Sequence, residues 1–279
     1  MGYIAPTSLD DALAVLAAGD VAIIAGGTDF FPTLGARAVH GDLLDLTCVA
    51  GLRGIERTDA GWRIGAATTW SDIVAAPLPP AFNVLKDAAR QVGSVQIQNA
   101  GTVAGNICNA SPAADGVPPL LALDAVVEIV SVRGRRKVSL AAFITGVRRV
   151  DLRQGEIVLA VHVPDISEDA RGAFTKLGSR KYLVISIAMV AVILRLEDQI
   201  IVDIRVAVGS CSPVAQRLPA LEASLLGSGR SALAAPGLVT AMHLAPLAPI
   251  DDVRGSGCYR REAVAELIQR ALTEAEAHG

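Results

Sequence analysis

The sequence predicts a protein of the α+β class, in which helices and antiparallel strands occupy separate parts of the chain. Three observations predict this class. The first fifty residues combine a helical pattern with two short apolar runs. Two hairpin patterns follow, at 54–66 and 125–140. Residues 202–208 then alternate between apolar and polar or small side chains, as a strand covered on one face does, before helical segments finish the chain.

The opening segment TSLDDALAVLAAG predicts a helix. Thr7 or Ser8 can cap its first turn, apolar residues recur at helical spacing, and Gly19 is a suitable stop. The runs VAII and DLLDLT, at 21–24 and 42–47, predict two short strands with a glycine loop between them. Together these elements predict a small αβαβ unit.

The chain beyond this unit predicts a second set of elements and then a boundary. Helices are expected at 70–75 and 81–92, and Pro164 ends a strand that begins at Gly155. The polar run 165–172 is the best boundary candidate.

Past this run, the apolar segment 185–196 predicts a long buried strand, and the alternating segment 200–210 predicts its neighbour. A last helix is expected from about Tyr259 to Ala277. The expected domains are 1–168, with subdomains of about 1–55 and 56–168, and 169–279.

The composition excludes several classes of protein. The chain has 279 residues, of which 52% are hydrophobic and 19% charged, as in a well-buried globular protein. The net charge of −3 and the 4% of aromatic residues argue against nucleic-acid binding. The longest apolar run, Ile185–Leu194, is about half of the roughly 20 residues that a membrane span needs. The N-terminus shows no secretory signal, so we expect a cytoplasmic protein.

The cysteines and histidines do not predict a metal site. Cys48, Cys108, Cys211 and Cys258 are far apart without a CxxC pair, as expected for reduced thiols scattered through an intracellular core. The histidines show no metal-ligand spacing either. No catalytic triad or acid–base pair is visible, and we therefore assign no catalytic and no metal-binding residue.

The stretch AIIAGGTDFF, at 22–31, places two glycines directly after a buried strand. The backbone N–H groups of such a turn can form a concave nest for an anion, and glycine permits the close approach. An ordinary strand-to-helix turn is the alternative, because a lone pair of glycines is a weak motif. The spacing is not GxGxxG, and GSGRSA at 227–232 follows a helical stretch, so a Rossmann site is not supported.

A second stretch, 99–115, consists almost entirely of small, amide and hydroxyl side chains, among them Thr102 and Asn106. Such a backbone can wrap a long polar ligand, because it offers many donors at close range. The alternative is a long ordered loop between domains, although loops of that length without a task are uncommon. Two such stretches suit one ligand with a pyrophosphate in its middle, and the natural candidate is FAD.

Five segments of the chain carry a resemblance to a known family. They are AGGTD at 25–29, TVAGNICNASPAAD at 102–115, GEIVLAVHVP at 155–164, AFTKLGSRK at 173–181 and DDVRGSGCYRR at 251–261. In this order they resemble the FAD-binding medium subunits of the molybdenum hydroxylases, the family of xanthine dehydrogenase and carbon monoxide dehydrogenase. The resemblance implies a two-subdomain FAD-binding fold of the vanillyl-alcohol-oxidase/PCMH type, followed by a C-terminal domain of antiparallel sheet and helices.

The resemblance also implies which residues contact the cofactor. It places the FAD pyrophosphate between the loops 23–30 and 102–106, with Asp115 as a further contact and Ile185 near the flavin ring. The full set of expected contacts is Ile23, Ile24, Ala25, Gly26, Gly27, Thr28, Asp29, Phe30, Val92, Thr102, Ala104, Gly105, Asn106, Ser111, Asp115, Val158, Lys176 and Ile185.

Two of these positions raise specific expectations. The family's TxGGN is TVAGN here, so Ala104 replaces a glycine and would be strained if the position required a positive φ. Lys176 stands in an otherwise apolar strand, and we hypothesise that it places positive charge near the reduced flavin. The alternative for Lys176 is a surface lysine with a buried stem.

The resemblance further implies partners. In this family a large subunit carries the molybdenum cofactor, and a small subunit passes electrons through two [2Fe-2S] clusters to FAD. We therefore expect an FAD-carrying electron-transfer subunit of a heterotrimer, in a dimer of heterotrimers, in which the flavin does the redox chemistry. Two alternatives are a free-standing flavin reductase of the enolpyruvyl-glucosamine reductase type and an assembly subunit without cofactor.

Overall fold

The computed structural model describes residues 2–35, 37–181 and 183–277. The N-terminal elements are β1 (Tyr3–Ile4), α1 (Leu9–Ala18), β2 (Val21–Ile24), α2 (Phe30–Leu34) and β3 (Asp42–Asp45). The strands form a parallel sheet in the order β1-β3-β2. Ser8 begins α1, since its side chain accepts the N–H of Asp11 at 3.1 Å. The predicted helix and both predicted strands are confirmed, whereas β1 and α2 were missed because such short elements show no periodicity.

The middle of the chain forms an antiparallel sheet with several short helices beside it. Its elements are β4 (Ile55–Thr58), β5 (Gly61–Gly65), α3 (Trp70–Ala75), a 3-10 turn (Pro80–Phe82), α4 (Asn83–Gln91), α5 (Val95–Ala100), α6 (Val103–Asn109), α7 (Val117–Ala122), β6 (Val126–Ser131), β7 (Gly134–Ser139), α8 (Leu140–Phe143), β8 (Ile144–Gly146), β9 (Arg149–Val150) and β10 (Ile157–Pro164). The sheet order is β4-β5-β10-β6-β7, and both predicted hairpins are present in it.

The C-terminal part combines a second antiparallel sheet with helices. Its elements are β11 (Arg171–Leu177), β12 (Ala188–Glu197), β13 (Ile200–Gly209), β14 (Gln216–Arg217), α9 (Pro219–Leu225), a 3-10 turn (Arg230–Ala234) and α10 (Gly257–Ala277). The strands pair in the order β11-β12-β13-β14. Helices α4 and α7 pack on one face of this sheet, and α9 and α10 pack on the other.

Strand β12 explains why one segment of the sequence is continuously apolar. Met189, Ala191 and Ile193 belong to the core that extends through the N-terminal and middle sheets. Val190 and Val192 alternate with them and belong to the core beneath α10. Because successive side chains of a strand point to opposite faces, a strand between two cores must be apolar at every position.

The structure also corrects two expectations. The stretch 99–115 is not a continuous loop, because Thr102 caps the helix α6 within it. The cysteines are not all in the core either, since Cys48 and Cys258 are exposed and Cys211 is buried. In the ranges that the structure describes, no helix is long and apolar enough to cross a membrane.

Candidate functional site

The two glycine-containing loops lie against each other. A Cβ atom built on Gly26 would collide with the carbonyl group of Ala100 and would lie 2.9 Å from the backbone nitrogen of Gly101. A Cβ built on Gly101 would in turn lie 3.2 Å from the hydroxyl oxygen of Thr28. The loop Ile23–Phe30 and the segment that leads into α6 are therefore in van der Waals contact, although more than seventy residues separate them.

The glycines of the first loop are required for two different reasons. At Gly26, the backbone of the second segment leaves no space for a side chain. At Gly27, φ is +66°, a left-handed value that glycine adopts without strain, and the Phe31 ring lies beside it. The sequence suggested that a ligand's approach explains both glycines, but their immediate neighbours are other parts of this chain.

A cleft of about 760 Å³ opens between these loops. Its walls come from the N-terminal sheet, the middle sheet and α6. They consist of Ile23, Ile24, Ala25, Gly26, Gly27, Thr28, Asp29, Phe30, Thr33, Leu34, Arg37, Leu46, Leu52, Ala66, Ala67, Trp70, Val92, Gly101, Thr102, Ala104, Gly105, Asn106, Cys108, Asn109, Arg148, Leu152, Ile157 and Val158. The volume suits a large organic cofactor, because ligand pockets commonly enclose about 300–1,000 Å³.

Helix α6 forms one wall of the cleft and is held at its first turn. The Thr102 hydroxyl accepts the N–H of Gly105 at 3.0 Å, and the backbone N–H of Val103 donates to the Thr68 carbonyl oxygen at 2.9 Å. Ala104 lies within this right-handed helix and is buried. The substitution of alanine for glycine in the family pattern therefore introduces no strained φ here.

Asn106 lines the cleft, but its side-chain oxygen is turned away from it. Its Oδ1 atom is shielded from solvent and, among the described residues, has no hydrogen-bond partner. Gly116 lies behind it, since a Cβ there would stand 2.8 Å from this oxygen. An unpaired buried acceptor costs free energy, and a ligand in the cleft does not contact an atom that solvent cannot contact. The polar side chains that line the cleft, among them Thr28, Thr102 and Asn109, are the groups that can bond to a dinucleotide.

Of the residues expected from the sequence, the structure brings most together in the cleft. Those in its walls are Ile23, Ile24, Ala25, Gly26, Gly27, Thr28, Asp29, Phe30, Val92, Thr102, Ala104, Gly105, Asn106 and Val158. The expected residues that do not line it are Ser111, Asp115, Lys176 and Ile185.

Asp115 and Lys176 form a buried network next to the cleft. Lys176 Nζ donates to Asp115 Oδ2 at 2.6 Å and to the carbonyl oxygen of Gln91 at 3.3 Å. The Ser186 hydroxyl donates to Asp115 Oδ1 at 2.5 Å. Burial raises the pKa of Asp115, although Lys176 and Ser186 oppose this shift. Because Gln91 precedes Val92, the network ends one residue away from the wall of the cleft.

This pairing affects the hypothesis about Lys176. The side chain is 5% exposed, so it is not a surface lysine. Its charge is balanced by a carboxylate at hydrogen-bond distance rather than directed without a partner toward the cleft. Any field that the pair exerts on a cofactor is therefore that of a dipole, which is weaker at a distance than that of a lone ammonium group.

Several residues of the cleft wall were not expected from the sequence, notably Arg37, Cys108, Arg148 and Leu152. Burial raises the pKa of the Cys108 thiol to about 12, so this cysteine is present as an unreactive thiol. Arg148 comes from the short turn between β8 and β9, which no periodic pattern revealed. In the described part of the chain, no group of three or more His, Cys, Asp or Glu residues could hold a metal ion.

A parallel N-terminal sheet, an antiparallel middle sheet and a cleft between two glycine-containing loops define the class of protein as a mixed α+β protein with a cleft large enough for an organic cofactor. Comparison with known proteins identifies the family. Residues 1–166 match the FAD binding domain in molybdopterin dehydrogenase, and residues 173–275 match the CO dehydrogenase flavoprotein C-terminal domain. The chain belongs to the FAD-binding medium subunits of the molybdenum hydroxylases.

Individual relatives match over nearly their whole length. The nicotine 6-hydroxylase medium subunit of Paenarthrobacter nicotinovorans is 34% identical over 279 residues, which cover 99% of this chain and 97% of the relative. The carbon monoxide dehydrogenase medium chain of Hydrogenophaga pseudoflava is 29% identical and covers 98% of this chain and 96% of its own length. A chain of the solved carbon monoxide dehydrogenase from that organism superposes with a TM-score of 0.89 at 28% identity, covering 100% of this chain and 98% of that one.

Proposed function

We propose that this chain carries electrons through an FAD molecule held in the cleft, as one subunit of a molybdenum hydroxylase. The observation that carries the proposal is the convergence of the loop Ile23–Phe30 and the first turn of α6 on one cavity. Bound FAD supplies the redox chemistry there, while this chain binds and orients it.

The contacts assign different tasks to different groups of residues. The loop Ile23–Phe30 and the segment Thr102–Asn106 hold the pyrophosphate of FAD, the loop through its backbone N–H groups and the segment through the side chains of Thr102 and Asn106. The backbone N–H groups of 103–106 are not available for this, because they donate to Thr68, Ala66 and Thr102. Val92 and the buried pair of Asp115 and Lys176 support the end of the cleft nearest to β11.

The electrons come from the [2Fe-2S] clusters of a small partner subunit and pass from FAD to an external acceptor. A large partner subunit with the molybdenum cofactor oxidises the substrate, and the whole forms a heterotrimer or a dimer of heterotrimers. The names of the relatives support this arrangement, since they are a medium subunit of a hydroxylase and a medium chain of a dehydrogenase.

Purification of the chain from its native cell tests the proposal. We expect a yellow protein whose released cofactor is FAD, accompanied by a large subunit containing molybdenum and a small subunit containing iron and acid-labile sulfide. A complex that releases no flavin on denaturation would refute the proposed cofactor site and favour an assembly role. A yellow protein that oxidises NADPH on its own, without partners, would instead favour a free-standing flavin reductase.

A further inference from the structure

Arg148 lines the cleft but belongs to neither of the two cofactor loops, since it lies between β8 and β9. Its Nη1 atom donates to Asp29 Oδ2 of the first loop at 3.0 Å and also to Oδ1 of Asn109, the last residue of α6. The arginine thus connects the two walls of the cleft, which are otherwise joined at Gly26. Nothing in the sequence motifs assigned a role to this residue.

The backbone around Arg148 is arranged to place it there. Arg148 has a φ of +57°, and its N–H donates at 2.9 Å to the carbonyl oxygen of Ala110, whose φ is +46°. A left-handed residue other than glycine costs about 1 kcal/mol or more, so two of them joined by one hydrogen bond indicate a conformation that the surroundings impose. The exposed ion pair with Asp29 contributes about 0–1 kcal/mol and does not by itself account for such a turn.

The surroundings of Arg148 suit one half of a dinucleotide. Leu152, Ile157 and Val158 line the same cleft as Arg148 and give it apolar surface, which suits a flat purine ring. Asp29 supplies a carboxylate, the group that nucleotide sites use to accept hydrogen bonds from ribose hydroxyls. The ion pair with Arg148 holds this carboxylate in position.

We propose that Arg148 positions Asp29 for the adenosine half of FAD and so makes this chain select FAD over FMN. This inference rests on the proposed cofactor site, because it assigns a role to a residue of the same cleft. Arg148 acts through Asp29 and through closure of the cleft, and it takes no part in electron transfer.

Binding of FAD and FMN to the full chain stripped of flavin tests the inference, with quenching of flavin fluorescence as the readout. We expect Arg148→Met to raise the Kd for FAD at least about tenfold, because Asp29 is then no longer held in place to bond to the adenosine ribose, and to leave the Kd for FMN within about twofold. Arg148→Lys keeps the charge and should recover part of the affinity. Arg149→Met is the matched control, since this exposed neighbour in the same turn does not line the cleft.

A double-mutant cycle with Asp29→Asn tests the pairing itself. Because both residues act on the same half of the cofactor, the double variant should lose about as much FAD affinity as Arg148→Met alone. Equal weakening of FAD and FMN binding would show a merely structural role and overturn the inference, as would unchanged FAD affinity in Arg148→Met. A wild-type chain that binds neither flavin would refute the proposed function, and the inference with it.

Discussion

Gly26→Ala is the substitution that tests most directly how the cleft is built. The new methyl carbon would lie 1.8 Å from the carbonyl oxygen of Ala100, about 1.6 Å short of ordinary van der Waals contact. The obstacle is backbone on both sides, so no side-chain rotation relieves it. Overpacking of this kind costs about 1–3 kcal/mol, which corresponds to a decrease in Tm of about 2–10 °C for a chain of this size.

The assay combines thermal unfolding with FAD titration, because the strain can be relieved only by separation of the two loops. We expect both a lower Tm and weaker FAD binding. Gly19→Ala is the matched control: it has an extended backbone, with φ of −179°, and nothing within 4 Å of the new methyl group. If Gly26→Ala matched the control in both Tm and affinity, the direct contact between the loops would be wrong.

Three further predictions concern buried and titrating groups. Lys176→Met leaves its carboxylate partner buried without a cation and should cost about 3–5 kcal/mol in urea unfolding at pH 7; a loss below about 1 kcal/mol would contradict the buried pair. Arg136 holds the pKa of Glu156 at about 2 rather than 4.5, so this pair stabilises the fold above pH 4.5 and the stabilisation is lost as the pH falls toward 2. Urea titrations over this range should therefore show a flatter pH dependence for Glu156→Gln, and equal slopes would exclude the pair as the cause. Iodoacetamide at pH 8 should label the exposed Cys48 and leave Cys108 unlabelled, because burial raises the pKa of the Cys108 thiol to about 12. Peptide mass spectrometry of the labelled native protein measures both sites, and faster labelling of Cys108 would contradict the prediction.

The fold could be predicted from the sequence wherever apolar residues repeated over several turns or strand residues, or a capping residue marked the start of a helix. The first helix has its cap at Ser8, and β13 forms where it was expected. The burial of β13 alternates only around Ile204–Val206, because Ala207 belongs to one core and Val208 to the other. The continuous apolar run of β12 predicted burial correctly, but its reason, two cores on opposite faces, emerges only from the packing of α4 and α10. The domain division at residue 168 stays a prediction.

The candidate site could be predicted in part, because its loops differ from the core in composition. Small residues revealed Gly26 and Thr102, but the sequence could not show that the carbonyl of Ala100 explains one of the glycines. Arg148 was missed for a physical reason. Its position depends on left-handed backbone at Arg148 and Ala110, and neither residue is a type that predicts such a conformation. Similarly, no local pattern revealed that Lys176 pairs with a residue sixty-one positions away.

The contact of Gly26 with the backbone at Ala100 also bears on the thermodynamics of cofactor loading. A cleft whose walls already support each other is preorganised, so little conformational entropy remains to be lost when a ligand enters. Reconstitution with FAD should then proceed without a slow refolding phase and with a small change in protection against proteolysis, and the polypeptide can mature before its flavin arrives.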